Sequence, residues 1–218
     1  MSLSILLKDE LNGFYRSKVM LFLWVGLPAL AIVLYSVSPS TEGIPFSSFA
    51  GLLVASIGGT IAAAMLAVGV INERERHVYD LFVIRPVKRR DIVISKFLAV
   101  YGCVVVAGFA SIMLGVVIDY FNSDLPPAEV LESSLPGLVI IASMMAVSCS
   151  AGVLIGIFSP SVLVGVILVM YGANQLSAVA ILPVLTASAS DYFPLLPATA
   201  ITAALLFLAV LLFNRKQL

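Results

Sequence analysis

The sequence predicts an all-α membrane protein with six transmembrane helices, an amphipathic interfacial helix at the N-terminus and a short cytoplasmic helix between spans two and three. Composition is the first observation: 61% of the 218 residues are hydrophobic, 11% are charged and the mean hydropathy is +1.13. A soluble domain carries about 25% charged residues. The second observation is that the apolar residues fall into six long runs. We therefore expect one membrane domain over residues 1–218.

The first 18 residues predict a helix that lies along the membrane surface. At helical spacing, Leu3, Leu7, Leu11 and Phe14 form one apolar stripe, and most of the charged residues of this segment lie away from it. A helix with one apolar face and one charged face binds at the boundary between lipid and water.

Six apolar runs of about 20 residues predict the transmembrane helices, because that length crosses roughly 30 Å of hydrocarbon. The first run is too long, and too weakly followed by a cleavage-like site, for a removable signal peptide. The predicted spans are residues 19–38, 48–71, 97–118, 135–158, 161–182 and 195–213.

The twelve basic residues all fall on one side of this arrangement. They precede span one, lie between spans two and three, or follow span six: Lys8, Arg16, Lys18, Arg74, Arg76, Arg85, Lys88, Arg89, Arg90, Lys96, Arg215 and Lys216. Basic loops stay in the cytoplasm, which predicts a multi-pass protein of the plasma membrane with both termini and the 72–96 loop cytoplasmic. The zero net charge argues against nucleic acid as a partner.

The predicted spans lack the groups that intramembrane chemistry needs. Ion-driven transporters carry ionisable groups at mid-membrane, and an intramembrane hydrolase needs a nucleophile with a base or a metal. The only histidine, His77, falls in the 72–96 loop, and Cys103 and Cys149 lie singly in apolar runs. A P-loop motif is also absent. No catalytic, metal-binding or cofactor-binding residue is therefore predicted, and energy must come from a partner.

The most polar part of any span surrounds Asn174 and Gln175 on span five, with Tyr171 one turn earlier. Two interpretations remain open for these residues. They bridge helices by hydrogen bonds, or they line a substrate path.

The 72–96 loop contains an apolar stretch, residues 78–84, in which Val78, Leu81 and Phe82 share one helical face. Arg85-Pro86 ends such a helix, since the residue before proline avoids the helical conformation. An apolar face on a short cytoplasmic loop must be covered. A groove on a partner protein and the bilayer surface would each cover it.

Around this loop the sequence resembles the membrane subunits of ABC-2 type (type V) ABC exporters. Their pattern is roughly E-x-E-x-G-T-x-E-x-L-x-x-x-P-v-x-R-x-x-i-x-x-x-K. The chain matches it at Glu73, Glu75, Phe82, Pro86, Val87, Arg89, Ile92 and Lys96. It departs from the pattern where His77-Val78 replaces Gly-Thr and Asp80 replaces Glu. Its size and compactness also resemble the haem exporter B branch of cytochrome c maturation.

The resemblance implies that the N-terminal helix is a connecting helix and that the loop helix is a coupling helix. This coupling helix would dock on a separate ABC ATPase subunit, which supplies the site for ATP and magnesium. A second permease, either another copy of this chain or a related one, would complete the transporter. The implied docking residues are Glu73, Glu75, Val78, Tyr79, Leu81, Phe82, Ile84, Pro86 and Arg89.

The expected function is thus the membrane-spanning subunit of an ATP-driven exporter. Uncharged spans favour an apolar, amphipathic or lipid-like substrate, since a charged one would find few partners. The alternative is a non-transporting membrane anchor or sensor that binds a cytoplasmic partner through the same loop.

Overall fold

The computed structural model describes residues 3–15, 17–37, 46–76, 89–122, 127–185 and 195–215, and within these ranges nearly every residue is helical and none is in a strand. A π-helical turn, Val169–Ala173, joins α6 to α7. The helices are α1 (Leu3–Tyr15), α2 (Lys18–Val37), α3 (Phe46–Glu75), α4 (Arg89–Asn122), α5 (Pro127–Phe158), α6 (Val162–Leu168), α7 (Asn174–Leu185) and α8 (Leu195–Arg215).

Six of the described helical stretches are long and apolar enough to cross a membrane, which confirms the predicted all-α class with six candidate spans. They are Lys18–Ser36, Ala50–Glu75, Arg90–Ile118, Gly137–Phe158, Val162–Val179 and Leu195–Arg215. The fifth stretch continues through the π-helical turn.

Helix α3 ends at Glu75 and α4 begins at Arg89, so both ends of the segment that was predicted as a 72–96 loop are helical. Helix α5 likewise begins at Pro127, eight residues before the predicted span. Hydropathy marks only the part of a helix that crosses lipid, whereas backbone hydrogen bonding continues into flanking polar residues.

Helices α3 and α5 form the centre of the bundle and run in the same direction. Small residues meet along their contact at intervals of four: the Cα of Gly59 faces Ser148, Ala63 faces Gly152 and Ala67 faces Gly156. A Cβ at position 152 would lie 2.5 Å from the Ala63 carbonyl oxygen. The small-residue surfaces of spans two and four are therefore used within one chain, where they let the two backbones approach closely.

Helix α1 packs on α4 through a face that shares Phe14 with the predicted membrane-facing stripe. Leu6 is buried and Phe14 packs against the main core, while Leu3 and Leu11 are exposed. The inward face of α1 is set by its packing on α4, and it follows four-residue spacing through Leu6, Glu10 and Phe14. The interfacial position of α1 stays a prediction.

Candidate functional site: an ion cluster at the basic end of the bundle

One end of the bundle gathers α1, the last turn of α3, the first turns of α4 and the turn between α5 and α6. Hydrogen bonds join these elements: Lys96 of α4 bonds Glu10 of α1 and Glu73 of α3, and Arg74 of α3 bonds the α5–α6 turn. We call this the basic end, because the described basic residues of α3 and α4 lie here.

Lys96, Glu10 and Glu73 form what we call the ion cluster. The Lys96 ammonium lies 2.7 Å from Glu10 Oε1 and 2.5 Å from Glu73 Oε1. The Lys96 side chain is only 5% exposed, while those of Glu10 and Glu73 are 21% and 30% exposed. A buried ammonium loses several kcal/mol of hydration, which paired carboxylates must offset. The cluster therefore holds only while α1, α3 and α4 keep their relative positions.

Apolar neighbours on each helix position the three charges. On α4, Ile92, Val93 and Phe97 are buried around Lys96, so that the lysine stem lies in apolar surroundings and its charge reaches the carboxylates. On α1, Glu10 lies on the stripe between Leu6 and Phe14 that faces the bundle.

The ion cluster bridges a gap that side-chain packing does not fill. An open groove of about 560 Å³ lies between α1 and α3, lined by residues that include Gly13, Phe14, Met65 and Asn72. Glu10 and Glu73 line the same groove, and Lys96 bonds both of them. The lysine thus links α1 to α3.

Arg74 fastens α3 to the turn that follows α5. Its guanidinium donates to the carbonyl oxygens of Ser159 at 2.7 Å, Pro160 at 3.3 Å and Ile157 at 3.4 Å. Carbonyls at a helix C-terminus have no partner within the helix, and a cation there is favourable. Ser161 then caps the start of α6 through its side chain.

The structure describes three of the nine predicted docking residues. Glu73 belongs to the ion cluster, Glu75 is exposed at the end of α3, and Arg89 is the first residue of α4. The remaining six lie outside the described residues: Val78, Tyr79, Leu81, Phe82, Ile84 and Pro86.

The polar residues of the fifth span point in different directions. Asn174 accepts a hydrogen bond through Oδ1 from Ser56 of α3 at 3.1 Å, whereas Tyr171 and Gln175 are exposed on the outer surface. The π-helical turn immediately before Asn174 inserts extra backbone and changes which side chains face inward. Asn174 thereby joins two helices, and Tyr171 and Gln175 are presented outward.

The sequence did not predict the ion cluster or the contact of α3 with the α5–α6 turn. It marks Lys96 and Arg74 as cytoplasmic basic residues, and it does not single out Glu10. For Glu10 the sequence holds a local signal, because this residue interrupts an apolar spacing of four between Leu6 and Phe14. The pairing of Lys96 with Glu10 and of Arg74 with Ser159 joins residues 86 and 85 positions apart in the chain, which local pattern does not reveal.

Among the residues that the structure describes, no group of three or more His, Cys, Asp or Glu side chains is placed to hold a metal ion. The ion cluster places one ammonium between two carboxylates, and these ion pairs connect α1, α3 and α4.

A comparison with known proteins matches nearly the whole chain. A family model described as ABC-2 family transporter protein matches residues 6–214. The match includes five candidate spans, all but the last residue of the sixth, and the three residues of the ion cluster. A search of curated proteins gives no match.

Proposed function

Because the chain belongs to the ABC-2 family of transporter proteins, it is the multi-pass membrane subunit of an ABC transporter, without an ATPase site of its own, and we propose that its basic end docks a separate ABC ATPase subunit. Residues 77–88 form the docking segment in this proposal, with residues 78–84 as the coupling helix. ATP and magnesium bind in the partner. The basic end and both termini face the cytoplasm of a plasma-membrane protein, as the one-sided basic residues favour.

The observation that carries the proposal is the position of the ion cluster beside the docking segment. The described part of α3 ends at one side of this segment and α4 begins at the other. Lys96 ties both helices to α1. A force on the docking segment therefore displaces three helices together, since separating them would leave a buried ammonium without its carboxylates.

The same displacement has a route into the centre of the bundle. Helix α3 is packed closely on α5 through Ala63 and Gly152, and Arg74 fastens its end to the α5–α6 turn. A shift of α3 at the basic end is thus transmitted to α5 and to the start of the fifth span. Closely packed interfaces shift between discrete arrangements rather than deforming continuously.

The proposed transport is export of an apolar, amphipathic or lipid-like substrate. Of the described charged side chains, Lys96 alone is fully buried, and it is neutralised at the basic end. The other buried polar residues in the described bundle are serines. Such an interior favours a substrate with little charge, because a charged one would lose its hydration without gaining partners.

We further propose that a second copy of this chain completes the transporter by packing against the fifth span. Tyr171 is 77% exposed and Gln175 is exposed beside it. An amide that faces hydrocarbon lacks hydrogen-bond partners, which costs free energy. A matching face on a second copy would supply those partners. The related-permease arrangement is the other outcome of the test.

The docking proposal is tested by measuring how tightly the ABC ATPase binds the full chain in lipid nanodiscs. Replacing Leu81 and Phe82 together by Asp should weaken binding at least tenfold, because two apolar anchors become charged. The matched control replaces Tyr120 and Phe121 by Asp and should bind the ATPase as the unaltered chain does. These two residues are 52% and 79% exposed at the far end of α4. Equal binding by both double variants would remove the basis for docking at residues 77–88.

The dimer proposal is tested by disulfide trapping in membranes. A Tyr171→Cys variant should crosslink to a second copy, whereas a Phe109→Cys variant, also exposed at 48% but on α4, should not. Crosslinking at Phe109 alone would place the contact on another face. Crosslinking at neither position would contradict a homodimer through span five.

A further inference from the structure

A second groove lies between α4, α5 and α8, away from the ion cluster. Its volume is about 320 Å³, which is within the lower range of small-molecule sites. The stacked rings of Phe97 and Tyr101, whose centroids are 5.4 Å apart, line it together with small residues of α5 and α8. No charged side chain is among its lining residues.

Two hydroxyl groups in this lining have no hydrogen-bond partner. They are Ser143 Oγ on α5, whose residue is 2% exposed, and Thr202 Oγ1 on α8. Buried hydroxyls in native proteins are nearly always paired, and an unpaired one costs about 1–3 kcal/mol. Other hydroxyls of the same helices show the usual solution: Ser150 donates to Val147 O and Thr199 to Leu196 O.

We propose that this groove binds a small, neutral, mostly apolar molecule that carries a carbonyl oxygen. The residues of both unpaired hydroxyls line the groove, so each hydroxyl is a donor for such an oxygen, and the apolar and aromatic walls surround the rest of the ligand. A charged ligand does not fit, because the lining offers no counter-ion. This site is independent of ATPase docking, so its test succeeds or fails separately from the function proposed above.

The probe is benzophenone, which is apolar, has one carbonyl oxygen and crosslinks to contacting C–H bonds on irradiation. The full chain in lipid nanodiscs is photolabelled and the labelled peptides are mapped by mass spectrometry. Labelling should saturate and concentrate on the peptides of α4, α5 and α8 that line the groove. Labelling spread evenly over the lipid-facing helices would overturn the proposal.

Competition separates hydrogen bonding from simple partitioning into lipid. Dicyclohexyl ketone should displace the label at concentrations roughly tenfold lower than dicyclohexylmethane, which differs only in lacking the oxygen. The Ser143→Ala/Thr202→Val double variant should remove that difference. Equal competition in the unaltered chain, or a preference that persists in the double variant, would contradict the site.

Matched controls come from the paired hydroxyls. Ser150→Ala lies on α5 outside the groove lining, and Thr199→Val lies in the lining on α8. Both should leave the preference for the ketone unchanged. The single variants Ser143→Ala and Thr202→Val keep the test decisive should the double variant fail to fold, since each should reduce the preference about threefold.

Discussion

Lys96 is held by two carboxylates, so the loss of one leaves it paired. Glu10→Gln or Glu73→Gln should each lower the free energy of unfolding by about 1 kcal/mol, the scale of one partly exposed ion pair. The double variant should lose about 3–5 kcal/mol, because the buried ammonium is then unpaired. Thermal unfolding of the four forms in one detergent measures this non-additivity.

Adding Lys96→Met to the double variant is the control for that prediction. It removes the buried charge and keeps a flexible apolar stem, so that most of the lost stability should return. Additive single effects would mean that the carboxylates act independently, and a triple variant no more stable than the double would mean that charge burial is not the cause.

Arg74 makes a separate prediction, since it bonds three backbone carbonyls rather than a side chain. Arg74→Gln should destabilise the protein by about 1–3 kcal/mol, as hydrogen bonds from a charged donor are lost. Arg76, which is exposed one residue past α3, provides the control: Arg76→Gln should change stability by less than about 0.5 kcal/mol. Thermal melts of both variants compare the two, and equal losses would contradict the capping role.

At the scale of single residues, the sequence predicts which positions in the spans are polar better than it predicts their hydrogen-bond partners. It marked Asn174 and Gln175 as the most polar point of a span, but not that one turns toward Ser56 and the other outward. Consecutive residues of a helix point about 100° apart, and the packing of this span against α3 decides which of the two faces inward. The pairing of Lys96 with Glu10 depends on the packing of α1 on α4, which is a tertiary property.

The close contact between α3 and α5 depends on a glycine, Gly152, which has no side chain to separate the two backbones. Gly152→Ala would place a Cβ 2.5 Å from the Ala63 carbonyl oxygen, and the backbones would have to separate. We expect a loss of about 1–3 kcal/mol, the usual cost of overpacking. Thermal unfolding in detergent or nanodiscs measures it.

Gly69 on α3 is the matched control at element scale. A Cβ there meets nothing within 4 Å, and alanine favours a helix over glycine by about 1 kcal/mol. Gly69→Ala should therefore be neutral or stabilising. A Gly152→Ala protein as stable as the Gly69→Ala protein would show that the close α3–α5 approach contributes little.

Helices were the part of this molecule best predicted from sequence, because six runs of about 20 apolar residues admit few other structures in lipid. The prediction ended each span where polar residues began, whereas α3 continues to Glu75 and α4 starts at Arg89. Small residues recur at intervals of four in spans two and four of the sequence. Such a pattern serves contacts within one chain and between chains alike, so their pairing within one chain is a finding of the structure.

The proposed orientation of the whole molecule is tested by labelling single cysteines from each side of the membrane. In a Cys103→Ala/Cys149→Ala background, Asn12→Cys on α1 should react with an impermeant maleimide only after the cells are opened. Phe121→Cys at the far end of α4 should react in intact cells, because that end would face outward. Both introduced sites are exposed on the protein surface, so each can react when the reagent reaches it. The reverse pattern would contradict the orientation that the basic residues favour.

At the scale of the whole molecule, the family establishes the class of protein, and the proposed docking of an ATPase subunit would act on the basic end. The ion cluster and Arg74 connect α1, α3, α4 and the α5–α6 turn around the ends of one short segment. A non-transporting membrane anchor or sensor would bind a partner at the basic end without changing the partner's rate of ATP hydrolysis. A transporter subunit would couple its own movement to that hydrolysis and so change its rate.

The most direct measurement is the ATPase rate of the partner subunit, reconstituted in proteoliposomes with and without this chain. The unaltered chain should stimulate hydrolysis, the Leu81→Asp/Phe82→Asp variant should not, and the Tyr120→Asp/Phe121→Asp control should stimulate it like the unaltered chain. An ATPase rate that is the same with and without the chain, or that is stimulated equally by both double variants, would contradict the proposed function.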